Sequence, residues 1–271
     1  MPNRPLDLPD YDRPPVNEVV LGVQFGSLAA LKTPHIGFLW KRWRDRYPVV
    51  SEQPPLEPAF ETFPSVVGEP GILFESLIGV PFPRVWFESE DGSDLCQIQK
   101  DRLIHNWRKR ENAYPHYEYV RGLLVDDLRN FGEFAQEEGL GELVFNQAEV
   151  SYINTIDLPD GRSPHAALDE VLSTWRQFSL EGEIEDTTFR ARYRFKRDEV
   201  PYARLHVAVT PAVRRADGKH IIKLEMTFRG KPENDSQDAA LALLDVGRGV
   251  IVRSFDKMTS PEMHQVWGRK Q

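Results

Sequence analysis

The chain has 271 residues, of which 40% are apolar and 28% charged, and this excludes a disordered or fibrous polypeptide. Lys and Arg number 34 against 42 Asp and Glu, a formal charge of −8; this argues against coating DNA without sequence preference but leaves room for a local basic patch. The single cysteine, Cys96, excludes an internal disulfide and any multi-cysteine zinc or iron–sulfur site.

Residues 1–15 carry four of their prolines at Pro5, Pro9, Pro14 and Pro15 and lack the apolar centre of a signal peptide. They are expected to form an extended arm. The longest nearly apolar run, 71–83, is interrupted by Glu75 and falls short of the roughly 20 residues of a membrane span. The expectation is therefore a cytoplasmic protein with no membrane partner and an oligomeric state left open.

A strand is expected at Val19–Phe25, rich in β-branched and aromatic residues. Thr33-Pro34-His35 then reads as a hydroxyl N-cap followed by proline at the first helical position. The helix it starts places Ile36, Leu39, Trp40, Trp43 and Tyr47 on one face. Prolines crowd the stretch 48–83, which predicts a long irregular excursion, a kind of segment that is often functional. RVWFES, Asp91-Gly92 and LCQIQKDRL read as a hairpin. A long helix follows, with Tyr117, Val120, Leu124, Leu128, Phe131 and Ala135 at helical spacing, and Gly139 and Gly141 end it.

The same order then recurs. A strand is expected at Glu149–Ile156, and a helix starting at Ser163-Pro164-His165 with Leu168, Val171, Leu172 and Trp175. An additional strand, Phe189–Phe195, precedes a hairpin of ARLHVAVT, Asp217-Gly218 and HIIKLEMTF. A long helix carries Ala240, Leu244, Ile251, Phe255 and Met258, and a short one starts at Ser260-Pro261. The fold class is α+β: two tandem similar units, 16–140 and 141–271, each strand, helix, antiparallel strands, helix, with the helices on one face of the sheet. Whether the units share one sheet stays open at this point.

No catalytic, cofactor or metal site stands out. G-x-S-x-G, Walker and dinucleotide-binding signatures are absent, and none of the seven histidines has H-x-x-x-H spacing. Cys96 reads as a small buried residue of a strand, and the glycines of Asp245-Val-Gly-Arg-Gly249 as a close helix-packing point. The most unusual segment is Phe189–Arg197. Alternation puts Arg190, Arg192, Arg194 and Lys196 on one face, and Arg204 and His206 on the same face of the next strand. One reading is a surface for an acidic protein or nucleic acid. The other is a solvated face balanced by Glu181, Glu183, Glu185 and Asp186. A second candidate is a hydrogen-bonding pocket for a small molecule formed by Gln97, Gln99, Asn106, Arg108, Glu149 and Asn154. Against it, Asn106 reads equally as a turn cap and Trp107 as a plug at the sheet edge.

Several segments appear together in a fixed order: Pro14-Pro15 with Glu18-Val19-Val20, then Gln97-x-Gln99-x-Asp101-Arg102, Asn106-Trp107-Arg108, Tyr114-Pro115-x-Tyr117, and Glu149-x-x-Tyr152-x-Asn154. This pattern resembles a sporadically distributed prokaryotic family of uncharacterised proteins of about this length. The resemblance spans most of the chain and is strongest from Leu95 to Tyr117. It implies a patchy, horizontally moved distribution and, by association with genes so distributed, an accessory or neutralising role in a toxin–antitoxin or phage-defence locus. It assigns no catalytic residue. The resulting expectation is a non-enzymatic binding protein whose N-terminal arm folds over its partner. The alternatives are a small-ligand or nucleotide sensor, and an enzyme whose site holds Glu149 or Asp101 beside His105 or His116.

Overall fold

Alternation along Val16–Phe25 (β1) sorts its side chains onto two faces. Val19, Leu21, Val23 and Phe25 are almost fully buried, while Glu18, Val20, Gly22 and Gln24 point the other way. β1 lies near the middle of one sheet and pairs antiparallel with Arg102–Arg108 (β5) on one side and Phe145–Asp157 (β6) on the other. The remaining strands are Val49–Gln53 (β2), Arg84–Glu88 (β3), Asp94–Gln99 (β4), Phe189–Arg197 (β7), Val200–Val213 (β8) and His220–Gly230 (β9). The computed structural model describes residues 5, 7–63, 82–158, 162–176, 181–182 and 184–270. Its nine strands run in the order β2-β3-β4-β5-β1-β6-β9-β8-β7, each neighbouring pair antiparallel.

The two halves of the chain therefore share a single sheet, joined through β1 and β6. Outward from the join, each half lays its strands down in reverse chain order. The helices Thr33–Trp43 (α1), Tyr117–Glu137 (α2), Leu168–Val171 (α3), Gln237–Met258 (α4) and Pro261–Trp267 (α5) gather on one side. Tyr117 and Arg121 of α2 donate to Asp245 of α4 (2.8 and 2.7 Å), and Tyr47, just beyond α1, donates to Asp127 of α2 (3.0 Å). Apolar rows such as Val85, Phe87, Leu103, Val150, Phe228 and Leu205 face these helices. The opposite face of the sheet has no helix packed on it among the described residues.

Several expectations are corrected at the level of elements. LCQIQKDRL is not one strand: the chain turns at Lys100-Asp101 and returns as β5, so the first half, not the second, has the additional strand. Trp107 is then in an interior strand, buried on the helix side against Tyr114 at 5.3 Å, and plugs no edge; Asn106 is mid-strand and caps no turn. The helix expected after Ser163 shrinks to the four residues of α3. Ser260 N–H takes the Val171 carbonyl and Leu172 bridges Thr259, so the chain is drawn into extended pairing before Trp175. The cap of α1 is Lys32 rather than Thr33, and His35 Nδ1 accepts the Lys32 N–H at 2.9 Å. Trp40 faces outward rather than into the core, 38% exposed.

The arm is also placed differently from expectation. Its described residues lie against α4 and α5: Tyr11 donates to Asp256 at 2.7 Å, and Asp12 and Arg13 N–H bond the carbonyls of Gly268 and Trp267. The second proline-rich stretch begins with the regular strand β2 and then runs without regular secondary structure to Phe63; residues 64–81 of the expected excursion lie outside the described residues.

Candidate functional site

The helix-free face is polar because alternation leaves the second set of each strand's side chains there. One row across the sheet reads Trp86, Gln97, Ile104, Gly22, Glu149, Arg229, Arg204 and Arg194, strand by strand. The next row includes Gln99, Arg102, Gln24 and Gln147. Residues 54–63, here called the strap, leave β2 and cross this face from β4 to β8.

Side chains of the sheet hold the strap by its backbone. Gln99 Nε2 donates to the Leu56 carbonyl (2.9 Å), and its Oε1 accepts the Leu56 N–H (2.8 Å). Gln24 does the same at Ala59, at 2.8 and 3.1 Å. Arg204 donates to the Thr62 carbonyl at 2.7 Å, and the Phe63 ring centre lies 4.1 Å from its guanidinium carbon. Arg204 also donates to Glu61, whose other oxygen lies 2.6 Å from His206 Nε2 and 3.7 Å from Arg229. The Glu61 side chain is only 4% exposed. Burial alone pushes its carboxyl pKa up. The hydrogen bonds from His206 and Arg204, with the charges of His206 and Arg229, outweigh that and hold it below the ordinary glutamate value. A cavity of about 210 Å³ lies between strap and sheet, floored by Gly22 and Ile104 and edged by Arg102, Glu149 and Arg229.

The predicted cationic residues fall on this face in two groups. Arg204 is buried and engaged by the strap. Arg190, Arg192 and Arg194 are exposed and make no ion pair with any described residue, so the described acids Glu181, Glu185 and Asp186 do not balance them. Glu183 lies outside the described residues. Lys196 pairs with Glu199 at 2.6 Å in the β7–β8 turn, beyond a bulge, and does not extend the row.

The predicted pocket does not exist as one site. Gln97 and Asn106 are tied into one polar network with Arg84, Trp86 and Glu18, and Arg108 pairs apart from it. Gln97 Oε1 accepts from Arg84 (2.7 Å) and Trp86 (3.0 Å), its Nε2 donates to Asn106 (2.6 Å), Asn106 donates to Glu18 (2.6 Å), and Arg108 pairs with Glu88 (2.9 Å). Gln99 serves the strap, and Glu149 binds Arg229. Asn154 points to the helix side, where it bonds the Leu224 carbonyl at 3.1 Å and lines a separate cavity of about 60 Å³ with Tyr114, Tyr152 and Arg248. Strand parity puts only Asn154 on the helix side; the other five share the helix-free face, where each is engaged by a different partner.

The enzyme arrangement is not assembled either. His105 is fully buried on the helix side, its Nδ1 2.7 Å from Asp127 Oδ2, with Tyr47 and Arg46 on the same carboxylate. Burial lowers the His105 pKa, but the hydrogen bonds and charges of Asp127 and Asp94 outweigh it and hold the pKa above its ordinary value. Glu149 lines the strap cavity without a histidine, and His116 lines the other one. Among the described residues, no group of three or more His, Cys, Asp or Glu side chains is placed to hold a metal ion, and no helix is long and apolar enough to cross a membrane.

Glu61, Gln24 and Arg229 were missed by sequence reasoning. Gln24 and Arg229 were legible in principle as polar residues alternating within strands; Glu61 carries no local signal. The chain matches no family model, no curated protein and no solved structure.

Proposed function

We propose that the protein is a non-enzymatic binding protein whose helix-free sheet face recognises an acidic segment of a protein partner. The observation that carries this reading is the convergence of Arg204, His206 and Arg229 on the single carboxylate of Glu61, beside the exposed Arg190, Arg192 and Arg194, which make no ion pair among the described residues. A cationic strip on a chain of net charge −8 attracts acidic ligands locally while the rest of the surface repels them. Its geometry suits carboxylates presented one at a time, since arginine forks on adjacent strands point at one position.

The test uses a labelled glutamate-rich peptide and a DNA duplex of equal charge as probes. Reversal of two exposed charges, each worth about 0.5–1 kcal/mol, is expected to weaken peptide binding roughly tenfold in the Arg192→Glu, Arg194→Glu variant. The melting temperature is expected to stay unchanged, because neither side chain packs in the core. Peptide affinity unaltered by the reversal, or preferential binding of the duplex, would overturn the reading.

A further inference from the structure

The bonds between sheet and strap recur every third residue. The carbonyls of Leu56, Ala59 and Thr62 accept from Gln99, Gln24 and Arg204 at 2.9, 2.8 and 2.7 Å. Three residues per turn is the repeat of a polyproline II helix, a conformation whose backbone groups have no partners of their own. Pro54, Pro55 and Pro58 favour it by fixing their φ angles. Such a helix advances about 9.3 Å per turn. Gln99 on β4 and Gln24 on β1 stand two strands apart, about 9.6 Å. The two amides are thus spaced to match one turn of a chain laid across the strands, while Arg204, three strands beyond β1, reaches back to Thr62 with its longer side chain. A glutamine amide carries both donor and acceptor groups, so it can pair with the N–H and the carbonyl of one residue, reads the backbone of whatever chain lies there and leaves side-chain selection to the Glu61 position.

The strap itself has the character of a ligand. None of residues 54–63 belongs to the apolar core, and Phe60 is 53% exposed. A segment held mainly by polar clamps, with no side chain in the apolar core, belongs to the less stable part of a fold.

We infer that this face is a groove for an extended, proline-containing, acidic peptide of a partner protein, and that residues 54–63 occupy it in cis. The inference rests on the reading of the face as a site for an acidic partner and specifies the form of that partner. It presents two carbonyls three residues apart, a carboxylate two residues after the second, and an aromatic ring two residues later to stack on Arg204. The partner and the strap compete for one set of clamps, so binding in trans requires the strap to leave.

The experiment uses the full chain with residues 54–63 replaced by ten glycine and serine residues. The probe is a labelled synthetic peptide of residues 52–63, EQPPLEPAFETF. A tethered competitor acts at an effective concentration of about 1 mM. A peptide binding the strap-replaced chain with a Kd of roughly 10 µM should therefore bind the intact chain about 100-fold more weakly. Gln24→Ala with Gln99→Ala in the strap-replaced chain should weaken the peptide at least tenfold, as should Glu61→Gln in the peptide. Failure of the peptide to bind a folded strap-replaced chain would overturn the inference. If that chain still bound the glutamate-rich peptide, the acidic-partner reading would stand alone; if it bound neither, both would fall. Should the replacement prevent folding, the intact chain with Glu61→Gln provides the second arm. Peptide 52–63 should bind it several-fold more tightly than the unaltered chain, and equal binding would overturn the inference. A dimer of the intact chain that strap replacement dissolves would assign the groove to a second copy and overturn the foreign partner.

Discussion

Two glycines two residues apart in α4 behave differently. A Cβ on Gly247 would sit 2.6 Å from Phe228 Cδ1 and 2.6 Å from Val150 Cγ1, both in the buried core, whereas on Gly249 it would meet only the mobile end of Arg253 at 3.2 Å. Replacing helical glycine by alanine gains about 1 kcal/mol of propensity, and overpacking costs about 1–3 kcal/mol. Gly247→Ala is therefore expected to lower the melting temperature by a few degrees and Gly249→Ala to leave it equal or higher, by thermal denaturation of the pair. The close packing point was legible in Asp245-Val-Gly-Arg-Gly249; which glycine makes it was not, because that depends on where β6 and β9 pass beneath α4. Cys96 is a similar case. Strand alternation marks it as buried, but its neighbour Asp127 comes from another element. Burial first, and the Asp127 charge second, push the thiol well above its ordinary pKa. Iodoacetamide at pH 8 is expected to leave Cys96 unmodified in the native chain and to modify it fully in denaturant; rapid labelling of the native chain would contradict the placement.

At the scale of elements, regular segments were readable and the strap was not. Helical spacing gave α2 and α4 nearly residue by residue, and strand alternation gave β1, β6, β7, β8 and β9, because in each the buried face is written locally as a period. The strap has no period of burial. Its prolines announce only irregular backbone, and its partners lie 35, 43 and 143 residues away in sequence. The same contacts make the strap sensitive to acid. Because the docked Glu61 carboxyl has a lower pKa than the free one, docking is favoured above the ordinary glutamate range. That contribution is lost as pH falls through the lowered value. Amide exchange at Leu56 and Ala59, corrected for its intrinsic pH dependence, is expected to show the strap loosening only once the pH falls below the ordinary glutamate range, while β1 and β6 stay protected. Glu61→Gln should remove the difference between pH 7 and pH 3. A folded chain equally protected at both would show that Glu61 is not what fastens the strap.

At the scale of the whole molecule, the similarity of the two halves expected from the sequence is not reproduced, since the first lays down five strands and the second four, and nothing in the sequence announces that the halves join edge to edge. Pairing between β1 and β6 needs no turn and leaves no local signature, since both strands are apolar on the helix side wherever they pair. The consequence is cooperative. Neither half can unfold without stripping a central strand from its partner, so heating is expected to give one transition, with calorimetric and van't Hoff enthalpies in agreement. The buried group of Tyr47, Asp127 and His105, with half-buried Arg46 at its edge, contributes to how that transition moves with pH. His105 holds its proton more tightly in the folded chain than the ordinary imidazole pKa of about 6.5. Its contribution is therefore complete below that value and is lost as pH rises through the raised one. The melting temperature is expected to fall between about pH 6.5 and the alkaline range, and this fall should be smaller in His105→Gln, which keeps a hydrogen-bonding side chain but cannot carry the charge. The difference in slope between the two proteins isolates His105 from every other titrating group. Equal slopes would mean that Asp127 is held by Arg46 and Tyr47 alone and that the histidine is buried neutral. If the single transition divides in two when His105 is changed, the buried cluster, and not the β1–β6 pairing, is what makes the halves unfold together.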